Sequence, residues 1–337
     1  MSTRAATVAV TVIVPVYNQP AELAQCLAAL EASAGPDSEI IVVDDGSTGD
    51  TVAADAPTSA RVLRLADNAG PAAARNHGAR HARGEILFFV DADVIVAPGA
   101  VQHVTRVLSG DPTIAAVFGS YDASPRSQSV VSQYRNLLHH FVHQEGNPEA
   151  STFWAGCGAV RRSAFEAVGG FDEAYERPSI EDVELGYRLR SAGSRIRLVA
   201  EAQVTHLKRW TFASWLASDL RDRAIPWARL VRQGRGLPSE LNFTLASRAA
   251  TALVGVGIAA LAFSFLEPRL LLVAVAAALM AVALDAPLLA FLARQVSFPF
   301  AAAAAGLQIL HRAAGLLGFA LGLVTRPRRL PRATPAT

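Results

Sequence analysis

The first half of the chain alternates short apolar runs with segments of helical periodicity. Thr11 to Val14 reads as a buried strand; Leu23, Cys26, Leu27 and Leu30 then share one helical face, with Asn18 placed as an N-cap. Glu39 to Val43, Val62 to Leu65 and Glu85 to Val90 read as further strands, and Pro71 to Ala82 as a helix stopped near Gly84. Alternation of this kind predicts an α/β fold with a largely parallel sheet covered on both faces. From about residue 121 the rhythm loosens. Helices are predicted over Ser127 to Gln144, Ser163 to Val168 and Ile180 to Ala192, a strand over Arg195 to Val199, and a Gly-rich stretch over Phe153 to Gly158.

Beyond residue 210 the pattern is that of a different solvent. Thr211 to Arg232 sets Trp215 and Trp227 among arginines, as in a helix lying in a membrane interface. Ala249 to Leu266 has no charged residue and Leu270 to Ala293 has only Asp285. A span takes about 20 residues, so both are expected to cross a bilayer. Phe298 to Val324 is apolar apart from Gln308, His311 and Arg312, which share a helical face with Gly315. That segment is expected to be an interfacial or re-entrant helix pair; the alternative is a third full helix with its polar face buried. Arg326, Arg328, Arg329 and Arg332 put the tail in the cytoplasm by the positive-inside rule, which requires an even number of crossings. The expected organisation is a catalytic unit over 1–210, interfacial helices over 211–245, transmembrane or re-entrant helices over 246–325 and a basic tail over 326–337.

Composition narrows the classes. Of 337 residues 51% are hydrophobic and 18% charged, and a net charge of +2 is too small to imply a nucleic-acid partner. Cys26 and Cys157 are too few and too far apart for a disulfide framework or a cysteine metal site. The apolar run after Arg4 meets Pro15 and Tyr17-Asn18-Gln19-Pro20 with no small-residue cleavage site, so it is expected to be a first strand rather than a signal peptide.

In open α/β sheets ligands collect beyond the carboxyl ends of the strands. Pro15 to Asn18, Asp44-Asp45-Gly46-Ser47 and Asp91-Ala92-Asp93 occupy such positions, without a Gly-x-Gly-x-x-Gly or Gly-Lys-Ser/Thr loop. Asp91 and Asp93, two apart in an extended segment, point the same way, and a hard cation, Mg²⁺ or Mn²⁺, relieves their repulsion. Alternatively one aspartate caps a turn and the other is solvated. Asp45 is either a turn residue or an acceptor for the edge of a nucleobase, which Arg75 and Asn76 could also approach. Glu181-Asp182 opens a helix, where acidic residues suit the helix dipole, or supplies a general base.

Taken together, Val12 to Asn18, Ile41 to Thr48, Asn68-Ala69-Gly70 with Ala74-Arg75-Asn76, Phe89 to Asp93, Gly169 to Glu173 and Glu181 to Leu185 resemble glycosyltransferase family 2, in its order and approximate spacing over residues 8 to 210. The resemblance implies a GT-A-type fold and an inverting, metal-dependent transfer from a UDP- or GDP-linked sugar. It places Pro15, Val16, Tyr17, Asn18, Asp45, Asn68, Arg75, Asp91 and Ala92 around the donor. It makes Asp93, Asp91 and His206 metal ligands and Asp182 the base, with Glu181, Trp154 and Gly156 on the acceptor side. Processive relatives carry Gln-x-x-Arg-Trp, whereas this chain reads His206-Leu207-Lys208-Arg209-Trp210, so a single addition is expected. The expected acceptor is lipid-linked or an envelope glycan, reached at the cytoplasmic face of the inner membrane. The competing expectation is a catalytically silent membrane scaffold that binds nucleotide-sugar or lipid. A nucleotidyltransferase would need a Gly-rich, lysine-bearing first loop that is missing here.

Overall fold

A computed structural model describes residues 9–49, 59–234 and 244–325. The described residues divide into two compact units, one drawn from 9–126 and 146–208, the other from 127–145 and 209–325.

The first unit is built on one mixed sheet. Its strands are β1 (Val10–Val16), β2 (Ser38–Asp44), β3 (Ala60–Arg64), β4 (Ile86–Val90), β5 (Val94–Val96), β6 (Ile114–Tyr121), β7 (Glu149–Ala150), β8 (Cys157–Arg161) and β9 (Arg195–His206). The spatial order is β3-β2-β1-β4-β8-β6-β9-β5, with β7 beside β9. β3, β2, β1 and β4 run parallel, β8 runs against β4 and β6, and β6 is parallel to β9. Apolar positions on one face, among them Val12, Val14, Phe88 and Val90, pack against Leu23, Leu27 and Leu30 of helix α1 (Pro20–Ser33) and against Val104 and Leu108 of α3 (Ala100–Gly110). The helix α2 (Pro71–His81) lies close to β1, where a Cβ on Gly78 would sit 2.6 Å from Ile13.

Several boundaries differ from expectation. Asn18 is not the N-cap of α1; Gln19 holds that position without a side-chain bond, and Asn18 has φ +54°. The last strand runs on from Val199 to His206 because it changes partners along its length, pairing with β6 and then β5. Part of the Gly-rich stretch is β8, whose glycine is required: a Cβ on Gly158 would strike the Trp154 carbonyl at 2.3 Å.

The second unit is helical. It holds α4 (Val130–Gln144), α7 (Phe212–Ala217), a π-helical turn (Ser218–Ala224), α8 (Ile225–Arg232), α9 (Leu245–Phe263), α10 (Leu270–Leu284), α11 (Ala286–Gln295) and α12 (Phe298–Val324). Between α4 and α7 in sequence, the first unit contributes α5 (Arg162–Ala167) and α6 (Glu181–Ser191). The amphipathic segment after residue 210 is helical as far as it is described; residues 235–243 and the expected basic tail lie outside the described residues.

Among the described residues two helices are long and apolar enough to cross a membrane, α9 and the 27-residue α12. The α10–α11 pair passes the same test only jointly and bends by 63°. The expectation for this region is therefore corrected: the broken element is 270–295, and Phe298 to Val324 is one continuous helix. Pro287 explains the break, since it lacks an amide hydrogen and obstructs the preceding turn. The polar face of α12 is satisfied internally. Gln308 accepts from Tyr134 Oη at 2.5 Å, His311 Nδ1 lies 2.6 Å from Asp219, and Arg312 donates to Asp285 at 2.8 Å. Its outward positions, such as Leu310, Leu317 and Leu321, are apolar.

Candidate active site

The carboxyl ends of β1, β2, β4, β6 and β9 meet at one edge of the sheet, joined by the amino end of the reversed strand β8. The register sets Val16 beside Asp44 and Val90 beside Cys157. The loops leaving that edge carry Tyr17-Asn18, Asp45, Asp91 to Asp93, Tyr121, Trp154 to Gly156 and His206.

At the β1–β2 side, Asn18 locks two loops together. Its backbone N–H donates to Ser47 Oγ at 2.9 Å, and its side-chain oxygen accepts from the Thr48 N–H at 2.9 Å. Asp45 is buried, and its two carboxylate oxygens accept the N–H groups of Ala69 and Gly70 at 2.8 and 2.9 Å. Burial pushes the Asp45 carboxyl up, against the pull of those two N–H groups, and the charge of Asp44 adds to the rise. Gly46, at φ +70°, is needed because a Cβ would meet the Asp67 backbone at 2.6 Å. Asp45 thus holds the Asn68–Gly70 loop against its own turn, leaving Asn68 and Tyr17 exposed at the rim. Pro15 is half-buried, and Val16 and Ala92 are buried, behind that rim.

Arg75 is turned inward, onto two carboxylates. It is 5% exposed and donates to Asp91 Oδ1 at 2.7 Å and to Glu181 Oε1 at 2.9 Å. Its guanidinium lies 5.4 Å from the Phe171 ring centroid. Burial alone would weaken its hold on the proton, but the carboxylates of Asp91, Glu181 and Asp182 raise the Arg75 pKa. Asn76 is likewise turned inward, donating to Phe171 O and accepting from the Phe171 N–H. The Arg75-Asn76 pair therefore fastens the 171–173 and 181–182 segments to the sheet edge.

Glu181 and Asp182, adjacent in sequence, part company in space. Glu181 is buried, with one oxygen on Arg75 and the other accepting the Ser179 N–H at 2.8 Å. Asp182 is half-buried and accepts the Ala155 N–H at 3.1 Å and the Val183 N–H at 2.8 Å. Burial and then the Glu181 charge push its carboxyl up to about 7, opposed by Arg75. Trp154 is half-buried next to this contact, and Gly156 is buried under it; a Cβ there would sit 2.5 Å from the indole.

Asp93 and His206 form the remaining group. The Leu207 N–H donates to Asp93 O at 2.8 Å, Val94 pairs with His206, and His206 Nε2 lies 3.5 Å from Asp93 Oδ2. Burial drives the Asp93 carboxyl up, but His206 and then Lys208 outweigh it and leave the pKa lowered. Among the described residues no three His, Cys, Asp or Glu side chains come together as a metal group. Asp91, expected as a ligand, is engaged by Arg75. The donor set still fits a hard cation: Mg²⁺-type ions commonly take one or two protein carboxylates and complete their shell with substrate phosphates and water. An ionised carboxylate with an imidazole beside it is such a partial set.

Tyr121 was not singled out by the sequence, yet its ring stacks on the His206 imidazole. The signal was available: Ile114 to Phe118 is an apolar run, and a strand there puts Tyr121 at its carboxyl end.

Residues 11–169 match the family described as Glycosyl transferase family 2, and residues 135–210 match the N-terminal domain of galactosyltransferase. The family 2 match takes in just under half of the chain, the stretch that carries β1 to β8, and supports a glycosyltransferase. The chain is 32% identical over 219 residues to the pre-mycofactocin glycosyltransferase of Mycobacterium tuberculosis, covering 62% of this chain and 44% of that one. It is 30% identical over 220 residues to the validoxylamine A glucosyltransferase of Streptomyces hygroscopicus, covering 54% and 48%. The match thus spans less than half the length of these relatives. Among solved structures, the mannosyltransferase PcManGT from Pyrobaculum calidifontis, in complex with GDP-Man and Mn²⁺, superposes with a TM-score of 0.58 at 22% identity, over 94% of this chain and 87% of that one. That likeness establishes the GT-A-type fold.

Proposed function

We propose that this chain is an inverting glycosyltransferase that moves one sugar from a UDP- or GDP-linked donor to an acceptor, with Mn²⁺ or Mg²⁺ bound. The observation that carries the reading is the position of Asp182. It is a half-buried carboxylate with a pKa near neutrality, fixed by the Ala155 N–H, at the edge that also holds Asp93 and His206.

The donor's nucleoside lies in the cradle of Pro15 to Asn18, Asp45 and Asn68, with Asp91 and Ala92 beside it. Asp93 and His206 would hold the cation, which when bound would supply positive charge to stabilise the diphosphate as a leaving group. Asp182 removes the proton from the acceptor hydroxyl as that oxygen attacks the anomeric carbon from the face opposite the diphosphate, so configuration inverts in one displacement. A phosphate acceptor is already ionised near pH 7 and needs little from a base, so Asp182 favours the hydroxyl member of the two acceptor classes. Glu181 anchors the base helix, and Trp154 and Gly156 line the acceptor side. GDP-Man and Mn²⁺ in the structural neighbour support a metal-bridged sugar nucleotide as the donor type.

The apolar helices α9 and α12 associate the chain with a membrane. The donor is cytoplasmic, so the acceptor is taken as lipid-linked or an envelope glycan at the cytoplasmic face of the inner membrane. The test is a panel of nucleotide-sugars supplied to membranes carrying the full chain, with product formation and the anomeric configuration of the product read by NMR. An inverted glycoside is expected; donor binding without turnover on any acceptor would leave a sugar-nucleotide-binding scaffold instead.

A further inference from the structure

Tyr121 ends β6 at the ligand edge. Its ring lies 4.7 Å from the His206 imidazole with the planes 25° apart, and Trp154 meets the same ring edge-on at 4.8 Å. We propose that Tyr121 is a positioning residue of the cation site, holding the His206 imidazole so that Nε2 faces Asp93 and tying that ligand to the acceptor-side loop through Trp154. The inference rests on the cation reading given above.

The backbone alone does not orient the imidazole. The pairing of Val94 with His206 and the Leu207-to-Asp93 hydrogen bond fix where the side chain begins, while its two torsions remain to be set. Ligating histidines ordinarily have the second ring nitrogen held by a hydrogen bond, which sets the ring plane. Among the described residues no hydrogen bond to His206 Nδ1 performs this task. The stack does: rotating the imidazole about its Cβ–Cγ bond breaks face-to-face contact with Tyr121.

The stack is itself firmly carried. Tyr121 pairs with Val204 across the β6–β9 ladder, the Asp122 N–H donates to Val204 O at 2.9 Å, and the Thr205 hydroxyl hydrogen-bonds the Asp122 carboxylate. Both rings therefore project from one fixed strand pair. On the other side, three consecutive residues link the ring to the base. Trp154 packs on Tyr121, the Ala155 N–H holds Asp182 at 3.1 Å, and Gly156 O accepts the Asp91 N–H at 3.4 Å. An acceptor that moves Trp154 would therefore press on the ring that orients the cation ligand.

The role belongs to the ring and not to the hydroxyl, which gives a sharp substitution pattern. Tyr121→Phe should keep Mn²⁺ affinity, whereas Tyr121→Leu should weaken it about 10- to 100-fold, the usual cost of losing a residue that orients a metal ligand. The measurement is free Mn²⁺ by electron paramagnetic resonance, titrated into the full-length protein in detergent with GDP and, in parallel, UDP. His206→Ala and the Tyr121→Leu/His206→Ala double variant complete the cycle. The expected result is that Tyr121→Leu adds nothing once His206 is gone. Wild-type-like Mn²⁺ binding by Tyr121→Leu, or an undiminished Tyr121→Leu effect on the His206→Ala background, would overturn the inference while leaving the cation site standing. Absence of nucleotide-dependent Mn²⁺ binding in the wild type, or wild-type binding by His206→Ala, would overturn both.

Discussion

Arg75 and Glu181, 106 positions apart, form a buried ion pair at 2.9 Å, and the same guanidinium reaches Asp91 at 2.7 Å. One arginine on α2 thus joins the donor side of the sheet edge to the helix that carries Asp182. Removing it strands a buried carboxylate, a loss of about 3–5 kcal/mol when a buried pair is broken from one side. Arg75→Met should lower the thermal midpoint of the first unit substantially. Arg75→Lys should recover little, because a single ammonium does not reproduce a planar fork spanning two carboxylates. A melt of Arg75→Lys that overlays the wild type would refute the strut.

The pH dependence follows from Asp182. Its carboxyl is pushed up to about 7 in the folded protein, and in the proposed mechanism the ionised form is the active one. The value of kcat/KM should therefore rise as pH increases through about 7 and level off above it. Asp182→Asn should retain donor binding while turnover drops roughly 10²- to 10⁴-fold. The sign for stability is opposite. A folded pKa above the unfolded value of about 3.9 means this group's contribution is full below pH 4 and lost as pH rises through 7. Asp182→Asn should accordingly melt higher than wild type at pH 8 and converge with it in acid; a lower melt at pH 8 would contradict the burial argument.

Asp93 is expected to be indispensable for the cation. Asp93→Ala should abolish transfer and nucleotide-dependent Mn²⁺ binding with the fold intact, and EDTA should silence the wild type reversibly. Activity that survives exhaustive chelation rules the site out.

In the helical unit, Asp285 sits at the α10–α11 bend with Arg312 donating to it at 2.8 Å. Charges among apolar helices persist when paired, and unpairing one is the costly change. Arg312→Leu alone should destabilise the unit in detergent far more than Arg312→Leu combined with Asp285→Leu. Equal losses for single and double variants would show that the pair is incidental.

The bend also bears on topology. If α9 and α12 span and the α10–α11 pair re-enters, both ends lie on one side, and the proposed cytoplasmic catalytic unit predicts a cytoplasmic C-terminus. A reporter active only in the periplasm, fused after Thr337, should stay silent; a signal from it would mean that 270–295 crosses as a third span.

Much of this was legible from periodicity. β1, β2, β4 and α2 follow from local patterns, because buried parallel strands are continuous apolar runs and α2 ends at His81, shortly before Gly84. The strands β5 and β8 are short and defined by antiparallel partners distant in sequence, which local patterns do not show, whereas β6 was legible in the apolar run of Ile114 to Phe118. Site residues showed the same division. That Asp91 and Asp93 lie at a strand end is a local fact. That Arg75 is buried against Glu181 depends on α6 arriving from 106 residues away. The 270–295 and 298–324 segments were read in reverse because the partners that satisfy Gln308 and His311 lie on α4 and the π-helical turn, which hydropathy along a single helix does not reveal.

Helix α4 is encoded within the first unit's stretch of sequence but belongs to the second, and Tyr134 reaches a partner, Gln308, 174 positions later. At about 5–20 residues per second of synthesis, α4 waits on the order of 10–35 s for that partner to be made. Asp219, which bonds Arg135, is made about midway through that interval, while Tyr134 has no Gln308 until its end. The ribosome therefore releases the sheet before the helix it encloses in sequence can dock, and a chain stopped at residue 210 would keep that helix permanently without its seat.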